Sequence, residues 1–197
     1  MVGFVFAWVA QAASPCPDTV ESLPTPTVAR LKGPAVIVVD KSARRLMLFA
    51  NGTRRKTLGG RDACFRVALA SGYRPGTKQR QGDLRTPEGW YRTSDRPWSR
   101  FYAALTIDYP AERDAQRGLR EGLITQPQHD AIIEAQRAHR LPPMNTRLGG
   151  QILIHGGGSS SDWTLGCIAL DNADIDALRA ALPRNLKTDV LVLPDSR

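Results

Sequence analysis

From Ala35 onward the apolar positions fall in short β-branched and aromatic stretches rather than at helical spacing. Residues 35–40 (AVIVVD) form a continuous apolar run, the pattern of a strand buried on both faces. Residues 44–50 (RRLMLFA) end at Asn51-Gly52, a two-residue hairpin signal, and 53–58 form the return strand until Gly59-Gly60 break it. Residues 64–70 (CFRVALA) alternate up to Ser71-Gly72. Further strands are predicted at 89–94, 101–108, 151–155, 167–170 and 189–193. Helices are predicted at 111–121, at 125–140 and at 173–182. The second has Thr125 as its N-cap and Leu141-Pro142-Pro143 as its stop; the third is capped by Asn172, with Ile175, Leu178 and Leu182 on one face. Strands joined by hairpins, with helices inserted late, make a β-rich α+β domain rather than a doubly wound α/β one.

The pattern before Ala35 is different. Residues 1–13 (MVGFVFAWVAQAA) are uncharged, mostly apolar, and contain the small-x-small triplet Ala10-Gln11-Ala12, so they read as an export segment. Residues 14–34 are rich in Pro, Ser and Thr and read as a tether, leaving 35–197 as one catalytic-sized domain. No apolar run reaches the roughly 18–20 residues of a spanning helix. At 197 residues, 42% apolar and 23% charged, the chain can bury a core without metal or disulfide staples. Its 27 Lys and Arg against 19 Asp and Glu give a net charge of +8, which suits an anionic partner. The basic residues are scattered and form no nucleic-acid motif, so a wall polymer fits better than DNA or RNA. The longest structureless stretch, 73–87, carries Arg74, Lys78, Arg80 and Arg85. Loops of that length inside a compact domain usually have a function.

There are three cysteines, Cys16, Cys64 and Cys167, and no Cys/His cluster has metal-ligand spacing, so neither a metal nor another cofactor is expected. A Cys16–Cys64 pair could close; the simpler reading leaves both unpaired, with Cys64 a small residue in a strand.

The sharpest constellation is 152–170, ILIHGGGSSSDWTLGCIAL. A histidine ends one apolar strand, a Gly/Ser-rich loop follows, and Gly166-Cys167 opens another strand. Cysteine acyl chemistry needs a thiolate nucleophile and an imidazole that holds the thiolate–imidazolium pair and then protonates the leaving group. If the two strands are neighbours, a hairpin-like loop brings His155 to Cys167. No carboxylate offers itself as a partner for the second imidazole nitrogen, so a backbone carbonyl in Gly156–Gly158 is expected there. The N–H groups of Leu165, Gly166 and Cys167 are the oxyanion candidates. His129 and His139 sit on a polar helix and are expected at the surface.

Four segments, in order, resemble the L,D-transpeptidase (YkuD-type) catalytic domain. They are VVDKSARRLMLFANG (38–52), GDLRTPEGWY (82–91), LGGQILIHG (148–156) and TLGCIAL (164–170). The resemblance implies a β-sandwich with inserted helices, acting in the periplasm or cell envelope on peptidoglycan stem peptides. It implies attack by Cys167, with His155 as base and Gly156 as its orienting carbonyl, at the bond after the L-centre of diaminopimelate in a tetrapeptide. D-Alanine leaves and the acyl group passes to an amine. With water as acceptor the same site would be an L,D-endopeptidase or carboxypeptidase; without chemistry the domain would be a wall-binding module, and wall-associated proteins would be further partners. A role in cell-wall biogenesis and cell shape, and inhibition by carbapenems, are also implied. Three features depart from the family pattern. Leu165 stands where many members have a second histidine, Ala169 stands where many have Arg or Asn, and the loop after His155 is short. With Ala169 lacking the charge, Arg74, Lys78, Arg80, Arg85 and the adjoining Thr86 are the candidate substrate-binding residues.

Overall fold

The computed structural model describes residues 16–25, 28–183 and 187–195; the proposed export segment lies outside them. The strands are β1 (Val36–Asp40), β2 (Arg45–Ala50), β3 (Thr53–Arg54), β4 (Cys64–Arg66), β5 (Gly89–Ser99), β6 (Tyr102–Ile107), β7 (Leu153–His155), β8 (Ile168–Ala169) and β9 (Thr188–Val192). They form one mixed sheet in the order β3-β2-β1-β9-β5-β6-β7-β8, with β4 also pairing β2. β1–β9 and β7–β8 are parallel and the other pairs antiparallel. The α+β class read from the sequence holds. The sandwich is built from one sheet that curls until its ends meet: Ala68, just past β4, exchanges reciprocal 2.9 Å backbone hydrogen bonds with Ala169 of β8.

Alternation along the strands explains the closure. One side of β1 and β2 (Ile37, Val39, Leu46, Leu48) packs with Phe65, Leu105, Ile107, Ile154, Ile168, Val190 and Val192 in the main core. Full burial of each such side chain contributes about 1.5–3 kcal/mol relative to exposure. Helix α1 (Val28–Leu31) precedes β1, α2 (Glu112–Arg120) and α3 (Gln126–Arg137) lie between β6 and β7, and α4 (Asn172–Ala181) lies between β8 and β9 and puts Ile175 and Leu178 into the main core. Thr125 caps α3, its hydroxyl accepting from Gln128 N while Gln128 Oε1 accepts from Thr125 N. The N-cap of α4 is Asp171 rather than Asn172, because the Asn172 side chain instead accepts from Gly157 N at 2.9 Å. β3 is shorter than the sequence suggests and β5 longer, running five residues past Ser94 into a projecting hairpin.

The expected tether is docked. Val20, Leu23 and Leu31 are buried against the other face of β1 and β2, on Val36, Val38, Met47 and Phe49. Cys16 and Cys64 form a disulfide, which corrects the reading of two unpaired cysteines: docking of the segment brings their Cα atoms to 6.2 Å, a bridging distance no spacing in the sequence reveals. The bridge spans a sequence separation of 48. By loop-closure entropy such a cross-link stabilises by about 4 kcal/mol, and measured bridges usually give about 2–4 kcal/mol. Cys16→Ser is therefore expected to lower unfolding stability by about 2–4 kcal/mol in a urea titration. Dithiothreitol should bring the parent protein down to the variant; a parent curve indifferent to reductant would show that the bridge is not formed in solution.

Candidate active site

His155 ends β7 and Cys167 immediately precedes β8. The two strands pair in parallel, Ile154 with Ile168 and His155 with Ala169, so the expected hairpin-like connection is instead a loop that crosses back. Ile154 and Ile168 point into the core. Alternation turns His155 and Cys167 to the opposite face, two residues out of register. The connecting loop is sewn to the segment after β4. Trp163 N and Thr164 N both donate to Leu69 O at 2.9 Å, and Asp162 accepts from Leu69 N while pairing with Arg44.

The imidazole is almost wholly enclosed, at 1% exposure. Phe101 stacks on it at 4.8 Å and Trp163 meets it edge-on at 5.4 Å. Its Nδ1 lies 2.5 Å from Gly156 O, and a carbonyl can only accept, so Nδ1 carries the proton and Nε2 has the free lone pair. Gly156 is fixed in turn, since a Cβ there would lie 2.6 Å from Asn172 Oδ1. Burial pushes the His155 pKa down, against the opposing pull of the Gly156 carbonyl. The lowered pKa favours the neutral imidazole.

Cys167 is half-buried and its thiol is held by backbone. Sγ accepts from Leu153 N at 3.4 Å and donates to Gln151 O at 3.6 Å. No hydrogen bond joins the thiol to His155. Burial pushes the thiol pKa above its usual range, with the Leu153 N–H and the charge of Lys78 pulling the other way. Both shifts favour the uncharged forms, thiol and imidazole, over the expected thiolate–imidazolium pair.

Thr164 Oγ1 sits inside the turn that leads to Cys167, donating to Cys167 O at 2.8 Å and accepting from Gly166 N at 3.3 Å. The Gly166 N–H is therefore already engaged, and Leu165 and Cys167 N–H remain as oxyanion candidates. Gly166 has φ +126°, and a Cβ there would lie 2.8 Å from Arg85 O; only glycine fits this contact. That contact sets the end of the basic loop directly against the turn that leads to Cys167.

The loop itself is ordered around Asp83. Its carboxylate accepts from Lys78 Nζ and from the N–H groups of Gln79, Arg80 and Arg85. Burial opposes ionisation of Asp83, but the Gln79 N–H and Lys78 outweigh it and hold the carboxyl below its usual range. Arg117 of α2 donates to Lys78 O and Gln79 O, and Arg113 donates to Glu88 O. Lys78 is thus buried and paired, and it is no free clamp. Thr86 is buried with no partner for its hydroxyl. Arg74 and Arg80 are exposed and Arg85 is half-buried. His129 lies beside Asp130, and His139 is exposed beside Arg92.

Sequence reasoning missed Phe101, Trp163 and Gln151. Trp163 stands inside the motif-bearing loop and could have been weighed; Phe101, in the hairpin turn, carries no pattern. Tyr102, next to it, donates to Asp176 at 2.8 Å, and Arg179 pairs with Asp95, so α4 anchors the hairpin that delivers Phe101. A cavity of about 740 Å³ between β5, β9 and α4 is lined by neither His155 nor Cys167. Among the described residues no group of three or more His, Cys, Asp and Glu could hold a metal ion, and no helix is long and apolar enough to cross a membrane.

"Putative L,D-transpeptidase YafK" of Escherichia coli (strain K12) is 35% identical over 89 residues, 43% of this chain and 34% of that protein. The chain thus aligns with about a third of that relative's length. The helical cell shape determining protein Pgp2 of Campylobacter jejuni (K307A mutant) shares the fold, with a TM-score of 0.53 at 23% identity, over 83% of this chain and 48% of that one. The unmutated Pgp2 structure gives 0.51 at 21% identity. The family model YkuD, L,D-transpeptidase catalytic domain, matches residues 34–192, so nearly the whole described chain is accounted for and the protein belongs to the YkuD family of L,D-transpeptidase catalytic domains.

Proposed function

We propose that the protein is an exported L,D-transpeptidase that acylates Cys167 with a peptidoglycan tetrapeptide and passes the acyl group to an amine. The observation that carries this reading is the β7–β8 pairing, which puts Cys167 on the same sheet face as an imidazole whose Nδ1 is committed to the Gly156 carbonyl. That leaves Nε2 as the base. The thiol first turns from Gln151 O toward Nε2. Nε2 takes the proton as Sγ adds to the carbonyl carbon, and the oxyanion is met by the N–H groups of Leu165 and Cys167. Collapse breaks the C–N bond, and the departing D-alanine amine takes the proton from Nε2, leaving a thioester. An acceptor amine then attacks the thioester and gives its proton to Nε2, and the thiol re-forms. Export is supported by the Cys16–Cys64 bridge, which belongs to oxidising compartments, and by the family's cell-wall chemistry.

The test is mass spectrometry of muropeptides after incubation with the purified protein. Transfer is expected to convert tetrapeptides into cross-linked or amine-exchanged products with release of D-alanine. Shortened stems alone would assign water as the acceptor and make the enzyme a hydrolase. An unchanged profile would remove both readings.

A further inference from the structure

The charge expected two residues after the nucleophile is missing, since Ala169 is wholly buried in β8. A different set of cations lies beside the nucleophile. Arg74, Arg80 and Arg85 line one cavity of about 240 Å³. Asp83, the carboxylate in its wall, is already saturated. Its Oδ1 accepts from Lys78 Nζ and Arg85 N, and its Oδ2 accepts from Gln79 N and Arg80 N. The Lys78 charge is spent in the same contact. Among the described residues none of the three guanidinium groups has a carboxylate partner or a hydrogen bond, and Arg85 Nε is buried with none. Three guanidiniums without a counter-charge around one cavity give it a positive potential that draws an anion. The cavity adjoins the chemistry, because the Arg85 carbonyl packs on Gly166, the residue before Cys167.

We infer that this cavity is the carboxylate subsite of the acyl donor, with Arg85 as its innermost ligand and Arg74 and Arg80 at its mouth. A stem tetrapeptide carries its C-terminal carboxylate and further side-chain carboxylates, and a guanidinium binds either kind through paired N–H donors. The rigid Asp83 hub and the Arg113 and Arg117 braces hold the loop in place before the donor arrives, which lowers the ordering cost of binding. This assignment rests on the proposed donor, so its test includes an arm that needs no stem peptide.

That arm compares alkylation of Cys167 by iodoacetate and iodoacetamide. In both, the Sγ–C bond forms as iodide leaves and the thiol proton is lost; only the charge of the reagent differs. Arg85→Gln is expected to lower the iodoacetate-to-iodoacetamide rate ratio several-fold, Arg85→Lys to retain part of it, and added salt to compress the difference. The iodoacetamide rate also reports whether the variant keeps its fold. Arg74→Gln and Arg80→Gln, at exposed positions, should each lower the ratio less. In the second arm, Arg85→Gln should raise KM for a defined tetrapeptide about tenfold with little change in kcat. Amidating the engaged carboxylate should erase that difference, and separate C-terminal and side-chain amides identify which one is held. An unchanged alkylation ratio, or a KM increase that persists on a fully amidated stem, would overturn the subsite. If the parent turns over no stem peptide, the proposed donor fails, and with it the stem carboxylate as occupant, while the alkylation ratio still decides whether the cavity takes anions.

Discussion

Cys167→Ala is expected to abolish turnover of stem peptides and the covalent adduct with a carbapenem, read by intact-protein mass. The argument is structural as well as chemical. The only other cysteines, Cys16 and Cys64, are joined in a disulfide, so no second thiol can substitute. The carbapenem arm is unambiguous, since ring opening adds the whole inhibitor mass to the thiol. Cys167→Ser should fail as well. Its hydroxyl is far less acidic than a thiol, and it would meet a base whose pKa is lowered by burial. A loss of at least 10³-fold is expected for either variant, on the order seen when a nucleophile is removed. Turnover near the parent rate by either one would end the thioester mechanism.

His155→Ala should lower acylation by about 10²–10⁴-fold, the usual contribution of a positioned general base. The pH behaviour separates this role from thiolate stabilisation. Because burial lowers the His155 pKa, the neutral base persists below the ordinary histidine range. The parent acylation rate should therefore rise through that lowered value and then stay level across neutral pH. Burial raises the thiol pKa, so iodoacetamide alkylation of the free enzyme should climb only at alkaline pH. In His155→Ala that alkylation profile should scarcely move, since the imidazole is not what holds the thiol proton. A parent profile with an inflection below pH 7 that disappears in the variant would restore the ion pair and refute the neutral resting state.

Strand β1 is legible in the sequence as an unbroken β-branched run, and the β2–β3 hairpin because an apolar strand ending at Asn51-Gly52 specifies a two-residue turn. His155 and Cys167 were legible for a different reason: their motif is local, and each sits at the mouth of an apolar run. What local pattern could not show was the direction of pairing. The Gly-rich loop after His155 looks like a turn, yet Asp162 and the Leu69 carbonyl pull it across the sheet and make β7 and β8 parallel. Residues 16–25 were misread because Pro, Ser and Thr suggest a tether, while Val20 and Leu23, too sparse to form a pattern, seal a whole face of β1. The thiol's partners are backbone atoms of Gln151 and Leu153, which no side-chain identity encodes.

The curled sheet also bears on how the chain avoids pairing with copies of itself. An open sheet presents a row of unpaired N–H and C=O groups at each margin, and a second copy can extend it. Here β8 is covered by Ala68. On the other side β3 is two residues long and is itself overlaid by the docked N-terminal segment: Thr19 bridges Thr53, Val20 N donates to Gly52 O, and Arg54 N donates to Asp18 O. The stretch that the disulfide fastens therefore doubles as an edge guard. Reduction of the bridge should cost more than stability, because the released segment would uncover β3 and give neighbouring molecules a template for aggregation.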